Sequence, residues 1–223
     1  MKSLLLALLV CTFSVTTAFA VPISWTDWTA ATNKTAEGSL SVDGSTVSVG
    51  YSGLLSFSQL GTGTNYWTEG DPAPYTGNSV IDNAPTASEM LALDQPATHK
   101  ITFSEALLNP VMAIVSLGRT SSPVSYDFDN SFSVLSEGDG FWGDGTYTLG
   151  TGDVLIGNEL HAAIQFDGLV SSISWSSDPD EYWHGVTFGV ATDTAPVPEP
   201  GTLLLLGSGL AGLGFYARKR KKA

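Results

Sequence analysis

Apolar and polar residues alternate one by one through much of the segment between residues 21 and 195, and this period of two constrains the fold more than any other feature. In "LSVDGSTVSV" (residues 40–49), apolar Leu and Val residues alternate with Ser and Thr on both sides of an Asp-Gly dipeptide, which is typical of tight hairpin turns. Successive side chains of a β-strand point to opposite faces. The pattern therefore predicts a hairpin with one buried face.

Six further segments continue this pattern and are separated by Gly, Asp, Asn and Pro residues, which are typical of turns. They read "HKITFS", "VMAIVSLG", "VSYDFD", "LHAAIQFDG", "VSSISWSS" and "HGVTFGVA". Short strands at intervals of about ten residues favour an antiparallel sandwich or barrel. The sequence thus predicts an all-β domain over residues 21–195, an antiparallel two-sheet β-sandwich of jelly-roll type.

The same periodicity predicts which side chains face the core. The inward-facing set is Ile164, Phe166, Ile173, Trp175, Val186, Phe188 and Val190. His161 and Gln165 alternate with the first two members of this set, so they are expected to face out.

The charge distribution excludes one class of partner. Residues 21–197 hold 21 Asp and Glu residues against three basic residues, Lys34, Lys100 and Arg119. A field of that sign repels phosphate backbones, so no nucleic-acid binding is expected. Cys11 is the only cysteine and precedes this segment, so the domain can form neither a disulfide nor a thiolate metal site.

The N-terminus has the three parts of a secretory signal peptide. Lys2 precedes the apolar run "LLLALLVCTF", and Ala18 and Ala20 place small residues at the two positions that signal peptidase recognises. This pattern predicts a signal peptide over residues 1–20, cleaved before Val21. The domain that follows is therefore expected to be exported.

A second apolar segment lies near the C-terminus. Residues 201–217 carry no charge and, as a helix, reach roughly 25 Å against a hydrocarbon core of about 30 Å. Snorkelling of the basic side chains that follow compensates for the difference, so a single transmembrane helix is predicted. Its span includes Leu203, Leu206, Gly209, Leu213 and Tyr216. The basic cluster after it is Arg218, Lys219, Arg220, Lys221 and Lys222. Such a cluster is retained on the cytoplasmic side, which agrees with a domain outside.

A Pro-Glu-Pro triplet, formed by Pro198, Glu199 and Pro200, comes just before this span. Each proline fixes its own φ and disfavours helix in the preceding residue, so the triplet is expected to be extended. An extended segment beside the membrane is a suitable substrate for a membrane protease. The order of triplet, short apolar helix and basic end over residues 196–223 resembles the PEP-CTERM sorting signal of Gram-negative bacterial surface proteins.

The resemblance implies a processing route and a setting. In that family the tail directs the protein to an exosortase, a membrane-embedded enzyme similar to transpeptidases, and the proteins are associated with exopolysaccharide and biofilm. The same tail also occurs on some ice-binding proteins. Signal peptidase, the exosortase and, transiently, the inner membrane are the implied partners, with possible contact to polysaccharide. The implied location is an inner-membrane-anchored precursor, then the cell surface or extracellular matrix.

Patterns that would indicate catalysis are weak. The nucleophile motif GxSxG is absent, and His99, His161 and His184 lack the spacing of a zinc site. Glycoside hydrolysis needs a pair of carboxylates, but no local signature selects one pair among the acidic residues of the domain. No catalytic activity is therefore expected.

Calcium is the metal that best suits the acidic loops. Asp127, Asp129 and Asp139 lie in "YDFDN" and "SEGDG" and supply the carboxylate oxygens that Ca²⁺ prefers. The alternative is that these residues are solvated turn formers.

Aromatic residues beside turns suggest a second kind of site. Trp142, Asp144, Trp183 and His184 combine aromatic rings with polar groups, as lectin-like sandwiches do when they bind sugar. Burial of the tryptophans is the simpler alternative. The first interpretation of the chain is thus an exported, non-enzymatic surface or matrix protein, and the second is a carbohydrate-binding module, with or without Ca²⁺, that tethers the cell to polysaccharide.

Overall fold

The alternation in the sequence becomes two antiparallel sheets in the structure. The computed structural model describes residues 20–85 and 89–192, and within those ranges the chain forms strands and no helix. All of these residues belong to one unit, Phe19–Ala195. The predicted signal peptide up to residue 19, the Pro-Glu-Pro triplet, the apolar span and the basic cluster lie outside the described residues. The strands are β1 (Ile23–Trp25), β2 (Asp27–Ala31), β3 (Thr35–Val42), β4 (Ser45–Ser52), β5 (Phe57–Gln59), β6 (Met90–Leu93), β7 (Ala97–Leu108), β8 (Val111–Leu117), β9 (Val124–Phe128), β10 (Phe132–Glu137), β11 (Asp139–Gly140), β12 (Gly143–Asp144), β13 (Thr146–Leu149), β14 (Val154–Asn158), β15 (Leu160–Phe166), β16 (Leu169–Asp178) and β17 (His184–Ala191).

The strand order confirms the predicted sandwich. One sheet, called sheet 1, has the order β10-β15-β8-β17-β6-β5, with β1 also paired to β17. The other, sheet 2, has the order β13-β14-β9-β16-β7-β4-β3-β2. Four pairs are nested within one another: β6 with β17, β7 with β16, β8 with β15 and β9 with β14. Folding such a long nested hairpin across two sheets produces the jelly-roll arrangement.

The hairpin predicted at Asp43-Gly44 is present. Both residues have positive φ, 49° and 79°, and Val42 pairs directly with Ser45 across the turn. Positive φ at both central residues is the geometry of the two-residue turn that matches the twist of the flanking strands. The local signal in the sequence was therefore sufficient to set this register.

The main core lies between the sheets. All seven side chains predicted to face inward are buried there, together with Trp28 and Leu40 of sheet 2 and Leu93 and Ile114 of sheet 1. Burial of large apolar side chains contributes roughly 25 cal/mol per Å² of area removed from water, so this layer is the main source of stability.

A second core covers the outer face of sheet 1. The segment between β5 and β6 has no regular secondary structure in its described part, yet Trp67, Tyr75 and Ile81 are buried in it. They belong to the same cluster as Met90, Ala92, Val111, Ala113, Val115 and Ala163 of sheet 1. Strands β6 and β8 are consequently buried at every position. The segment "VMAIVSLG" is therefore not an alternating strand, as the sequence analysis grouped it, but one with two buried faces.

The second core also changes the outcome for His161. This residue was expected to face out, and it does lie opposite the inward set, but its side chain is completely buried because that face of the sheet is covered. Gln165, on the same face, remains partly exposed. Outward direction in a strand thus does not imply exposure when another layer packs on the sheet.

Among the described residues, no such layer covers the outer face of sheet 2. Exposed positions there carry mostly short polar side chains: Thr46, Ser48, Ser52, Thr98, Lys100, Thr102, Ser104 and Ser176. They pair across strands in register, Ser52 with Lys100 and Ser176 with Thr98. Within the described part of the chain, no helix is long and apolar enough to cross a membrane.

Candidate functional site

Three strands of sheet 1 bring the candidate site together at one end of the sheet. β8 ends at Leu117, where it pairs with Leu160 at the start of β15, and β17 starts next to it, with Gly185 opposite Val115. Residues at and just beyond these strand ends, with Trp142 from a small hairpin, surround a cleft of about 310 Å³. The cleft is lined by Ser116, Arg119, Trp142, Glu159, Glu181, Tyr182 and Trp183.

Aromatic rings form one wall of this cleft. Trp142 packs edge-on against Trp183, with 5.1 Å between ring centroids, and Tyr66 contacts both of them at 5.3 and 5.0 Å. Phe141 lies 4.7 Å from Trp142, and Phe57 lies 5.0 Å from Trp183. These contacts hold the wall in place, while 44% of Trp142 remains exposed. A rigid, partly exposed aromatic wall in a cleft is typical of a binding site.

The hairpin formed by β11 and β12 positions Trp142. Backbone hydrogen bonds attach the hairpin to the covering segment, from Gly70 N to Asp139 O at 2.6 Å and from Asp139 N to Pro72 O at 2.8 Å. Gly140 lies directly against the His161 ring, so close that a Cβ atom at this position would lie 2.3 Å from the ring. Only glycine at position 140 therefore lets the hairpin pack directly against the His161 ring of sheet 1.

Hydrogen bonds from buried groups fix the Glu181 carboxylate at the cleft. Its Oε1 accepts hydrogen bonds from Gly118 N at 3.0 Å and from His184 Nδ1 at 2.5 Å, and both side chains of the latter pair are 2% exposed. Both bonds end on Oε1, so the described residues leave Oε2 without a hydrogen bond. A buried carboxylate fixed in this way is an oriented acceptor at the edge of the cleft.

Arg119 supplies the donors of the cleft. Its guanidinium carbon lies 4.5 Å from the centroid of the Tyr182 ring, a cation–π contact. Paired backbone hydrogen bonds with Ser122 hold the backbone of Arg119 in a turn. Arg119 Nε is buried and has no hydrogen-bond partner within the described residues. In the same part of the chain, no ion pair joins Arg119 to Glu159 or Glu181, although all three line the cleft.

Ser116 and Glu159 have unusual backbone geometry at the cleft. Their φ angles are 60° and 58°, in the left-handed region that residues with a Cβ rarely adopt. The register of β8 and β15 shifts at this point, between Leu160 and Ala162, and Ser116 Oγ donates a hydrogen bond to Glu159 Oε1. Strained residues of this kind are concentrated at functional sites.

A buried polar network lies between the sheets. His99 Nδ1 is 2.7 Å from the Tyr51 hydroxyl, and His99 Nε2 is 2.9 Å from Ser177 Oγ. Burial, with a smaller effect of His184, lowers the pKa of His99 to about 4. Burial alone lowers the pKa of His161 to about 4. Both imidazoles are therefore neutral at pH 7.

The structure brings together part of the predicted ligand site. Trp142 and Trp183 meet in the cleft, as the second interpretation required. His184 is buried behind it and reaches the cleft only through Glu181. Asp144 pairs with Asp139 in the small hairpin. The pKa of Glu137 is raised mainly by the burial of Glu137 itself, and the nearby charge of Asp144 raises it further. Asp144 does not line the cleft in the described structure.

Sequence reasoning missed Tyr66, Arg119, Glu159 and Glu181 as site residues. Arg119 could have been noticed, because it is one of only three cations in the domain. The two glutamates could not, because the sequence offers no way to separate them from the other acidic residues. Tyr66 lies in the irregular covering segment, whose position over sheet 1 has no periodic signal.

The predicted calcium ligands do not form one site. Asp127 is exposed on β9 of sheet 2, and Asp129 Oδ1 accepts a hydrogen bond from Ser174 N at 2.7 Å. Asp139 belongs to the small hairpin over sheet 1. Among the described residues, no group of three or more His, Cys, Asp or Glu side chains is placed to hold a metal ion.

Comparison with known proteins bears on the C-terminal tail. A family model, described as the PEP-CTERM protein-sorting motif, matches residues 196–221. No curated protein and no solved structure matches the chain. The motif indicates an exported protein that carries a membrane-anchored sorting signal and is processed by an exosortase. The chain is therefore a protein that contains a PEP-CTERM sorting motif.

Proposed function

We propose that this protein, once exported and processed, is a non-catalytic component of the cell surface or extracellular matrix that binds exopolysaccharide through the cleft. The observation that carries the proposal is the meeting of an aromatic wall with both donors and acceptors in one cleft. Sugar rings present an apolar face of C–H groups and a rim of hydroxyls. An aromatic wall packs against the first, and oriented polar groups bind the second.

The size of the cleft also supports this proposal. A volume of about 310 Å³ is at the small end of the range for ligand pockets, roughly 300–1,000 Å³. Such a cleft suits one sugar unit of a longer chain, whose neighbouring units extend into solvent past the exposed Tyr182. Affinity for a polymer then comes from many proteins binding along one chain, as multivalent contacts allow.

The two glutamates of the cleft favour binding over hydrolysis. A glycosidase uses one carboxyl group as an acid and another as a base or nucleophile, on either side of the scissile bond. Here Glu181 is engaged by His184 and a backbone N–H, and Glu159 is engaged by Ser116. Carboxylates held in this way are suited to accept hydrogen bonds from hydroxyl groups.

The test uses the exported protein recovered from a host that has an exosortase. A polysaccharide array is probed with the wild type and with Trp142→Ala, with and without Ca²⁺. Loss of the Trp142 ring is expected to weaken binding about fivefold to tenfold, because aromatic contacts of this kind are worth roughly 1–1.4 kcal/mol. Leu149→Ala is the matched control, since Leu149 is 62% exposed on sheet 2 and contributes nothing to the cleft.

Two results would contradict the proposal. One is the absence of binding to every polysaccharide on the array at millimolar sugar. The other is release of reducing ends from a bound polymer, because this would make the cleft a catalytic site.

A further inference from the structure

We infer from the geometry of the cleft that its ligand is a neutral sugar unit, whose adjacent hydroxyls bridge Arg119 to Glu181 and Glu159. The inference rests on the proposed function and names the class of polysaccharide that the cleft selects. It predicts that polymers carrying carboxylate or ammonium groups on each sugar are bound more weakly than their neutral counterparts.

The first step is the mismatch in hydrogen bonding. Arg119 brings a donor that has no partner among the described residues, and Glu181 brings an acceptor atom, Oε2, in the same situation. Both side chains line one cleft without forming an ion pair with each other. A ligand that both donates and accepts satisfies the two groups at once. Hydroxyl groups do both, which carboxylates and ammonium groups do not.

The second step concerns negatively charged sugars. The cleft contains two carboxylates, Glu159 and Glu181, and one guanidinium. The domain around it has 21 acidic residues against three basic ones. An anionic sugar therefore meets repulsion both inside the cleft and on approach. Its carboxylate group also cannot donate a hydrogen bond to Glu159 or Glu181, as the hydroxyl of a neutral sugar at the same position would.

The third step concerns positively charged sugars. An ammonium group would be attracted by the carboxylates, but Arg119 lies in the same cleft and is fixed over Tyr182. Its backbone is fixed too, by the turn with Ser122. An ammonium group on the Arg119 side of the cleft adds like-charge repulsion and accepts no hydrogen bond, so the Arg119 donor stays unpaired. The arrangement of one donor side and one acceptor side fits an uncharged pair of hydroxyls better.

The fourth step is preorganisation. Glu181 is immobilised by His184 and Gly118 N, and the aromatic wall is immobilised by Tyr66 and Phe141. Since these side chains are ordered before a ligand arrives, binding costs little side-chain entropy. His184 is thus a positioning residue, which acts on the ligand only through Glu181.

The experiment compares three polymers on the exported, processed protein: a neutral glucan, the carboxymethylated form of the same glucan, and a deacetylated amino-sugar polymer. Affinity is measured at low and at high salt, because salt screens the general attraction or repulsion of the acidic domain. The neutral polymer is expected to bind at least tenfold more tightly than the carboxymethylated one. At high salt it is also expected to bind more tightly than the amino-sugar polymer. Tighter binding of either charged polymer at high salt would overturn the inference while leaving the proposed function intact. Binding of none of the three polymers would contradict the proposed function as well.

Two variants with the same change of charge test the role of Arg119. Arg119→Gln removes the charged guanidinium and its fork of donors from the cleft, and Lys100→Gln removes a cation from the bare face of sheet 2. The first is expected to weaken binding of the neutral glucan about tenfold or more, and the second to change it less than twofold. Equal effects of the two variants would contradict a direct contact. If Arg119→Gln does not fold, Arg119→Lys keeps the charge and loses the planar fork, and it is expected to lose affinity too.

Discussion

The outer faces of the two sheets differ although the sheets belong to one sandwich. Sheet 2 presents short hydroxyl side chains directly to solvent, and nothing in the described structure packs over them. Sheet 1 lies under an irregular segment that adds a second apolar core and brings Tyr66 to the cleft. Strands of sheet 2 alternate apolar and polar residues, whereas β6 and β8 of sheet 1 are continuous runs of buried residues, as in strands buried on both sides.

The difference indicates where a binding site can form in this fold. A bare sheet face offers side chains that pair across strands and have little freedom to form a cavity. The covered face instead has an edge, where the covering layer ends and the strand ends of sheet 1 emerge. The cleft with Arg119, Trp142 and Glu181 lies at that edge. Loops positioned by a rigid scaffold are the usual carriers of binding sites.

The largest expected effect comes from removing a side chain of the covering layer. Tyr75 is fully buried and packs against Trp67 at 5.4 Å, so Tyr75→Ala is expected to reduce the free energy of unfolding by about 3–5 kcal/mol. Tyr182→Ala is the control, because Tyr182 is 79% exposed, and it should change stability by about 0.5 kcal/mol or less. Chemical denaturation of both variants measures the difference. Equal stability of the two would mean that the covering layer does not contribute a core.

The next effect is the part of the pH dependence of stability that arises on the covered face; His99, whose pKa is also lowered to about 4, adds a second part from between the sheets. The pKa of His161 is about 4 in the folded protein and about 6.5 in the unfolded chain, so the unfolded state binds the extra proton between these values. Stability therefore falls as pH drops from 6.5 to 4, by about 3 kcal/mol for this residue. Glu89 and Glu137 have a raised pKa and act in the opposite direction at the acidic end of that range.

The variant His161→Phe isolates this contribution. It keeps a ring against Trp142 and removes the titrating group, so the slope of unfolding free energy against pH should become flatter by up to about 1.4 kcal/mol per pH unit. Denaturation curves at several values between pH 4 and 6.5 provide the measurement. An unchanged slope would show that His161 is accessible to protons in the folded state and that the second core is open.

The smallest effect compares a single hydroxyl on each face. Ala113→Ser places a hydroxyl under the covering layer, where Ala113 is completely buried, and should cost about 1–3 kcal/mol. Ser176→Ala removes a hydroxyl from the bare face and should change stability by about 0.5 kcal/mol or less. Thermal unfolding of the two variants tests this directly. A cost for Ser176→Ala as large as that for Ala113→Ser would remove the distinction between the faces.

Much of the sandwich could be predicted from the sequence, because its signals are local. The Asp43-Gly44 turn and the alternation of Ile173 with Trp175 depend on a few neighbouring residues. The tail was recognisable for the same reason, since its parts follow one another along the chain. The wrong expectation concerned "VMAIVSLG", where burial of the second face depends on a distant segment.

The candidate site was predictable only in part for a related physical reason. Trp142 and Trp183 were identified because each lies beside turn residues, and the two side chains do meet. Their polar partners Arg119 and Glu181 come from separate loops, which only the pairing of β8, β15 and β17 brings together. This clustering of side chains from separate loops depends on the strand topology, so it could not be predicted from local sequence patterns.

The position of strand β17 determines how the domain would respond to a pulling force. This strand begins directly after Glu181 and Trp183 of the cleft and leads at its other end into the chain toward the sorting motif. If a polymer binds in the cleft, as proposed, tension between it and the C-terminal end of the domain would run along this strand. Neighbours on both sides hold it, β8 on one and β6 with β1 on the other, so pulling loads many hydrogen bonds in shear at once and does not peel them open one by one. The fold thus places the candidate cleft and the C-terminal end of the domain at opposite ends of a strand that is well placed to carry a load.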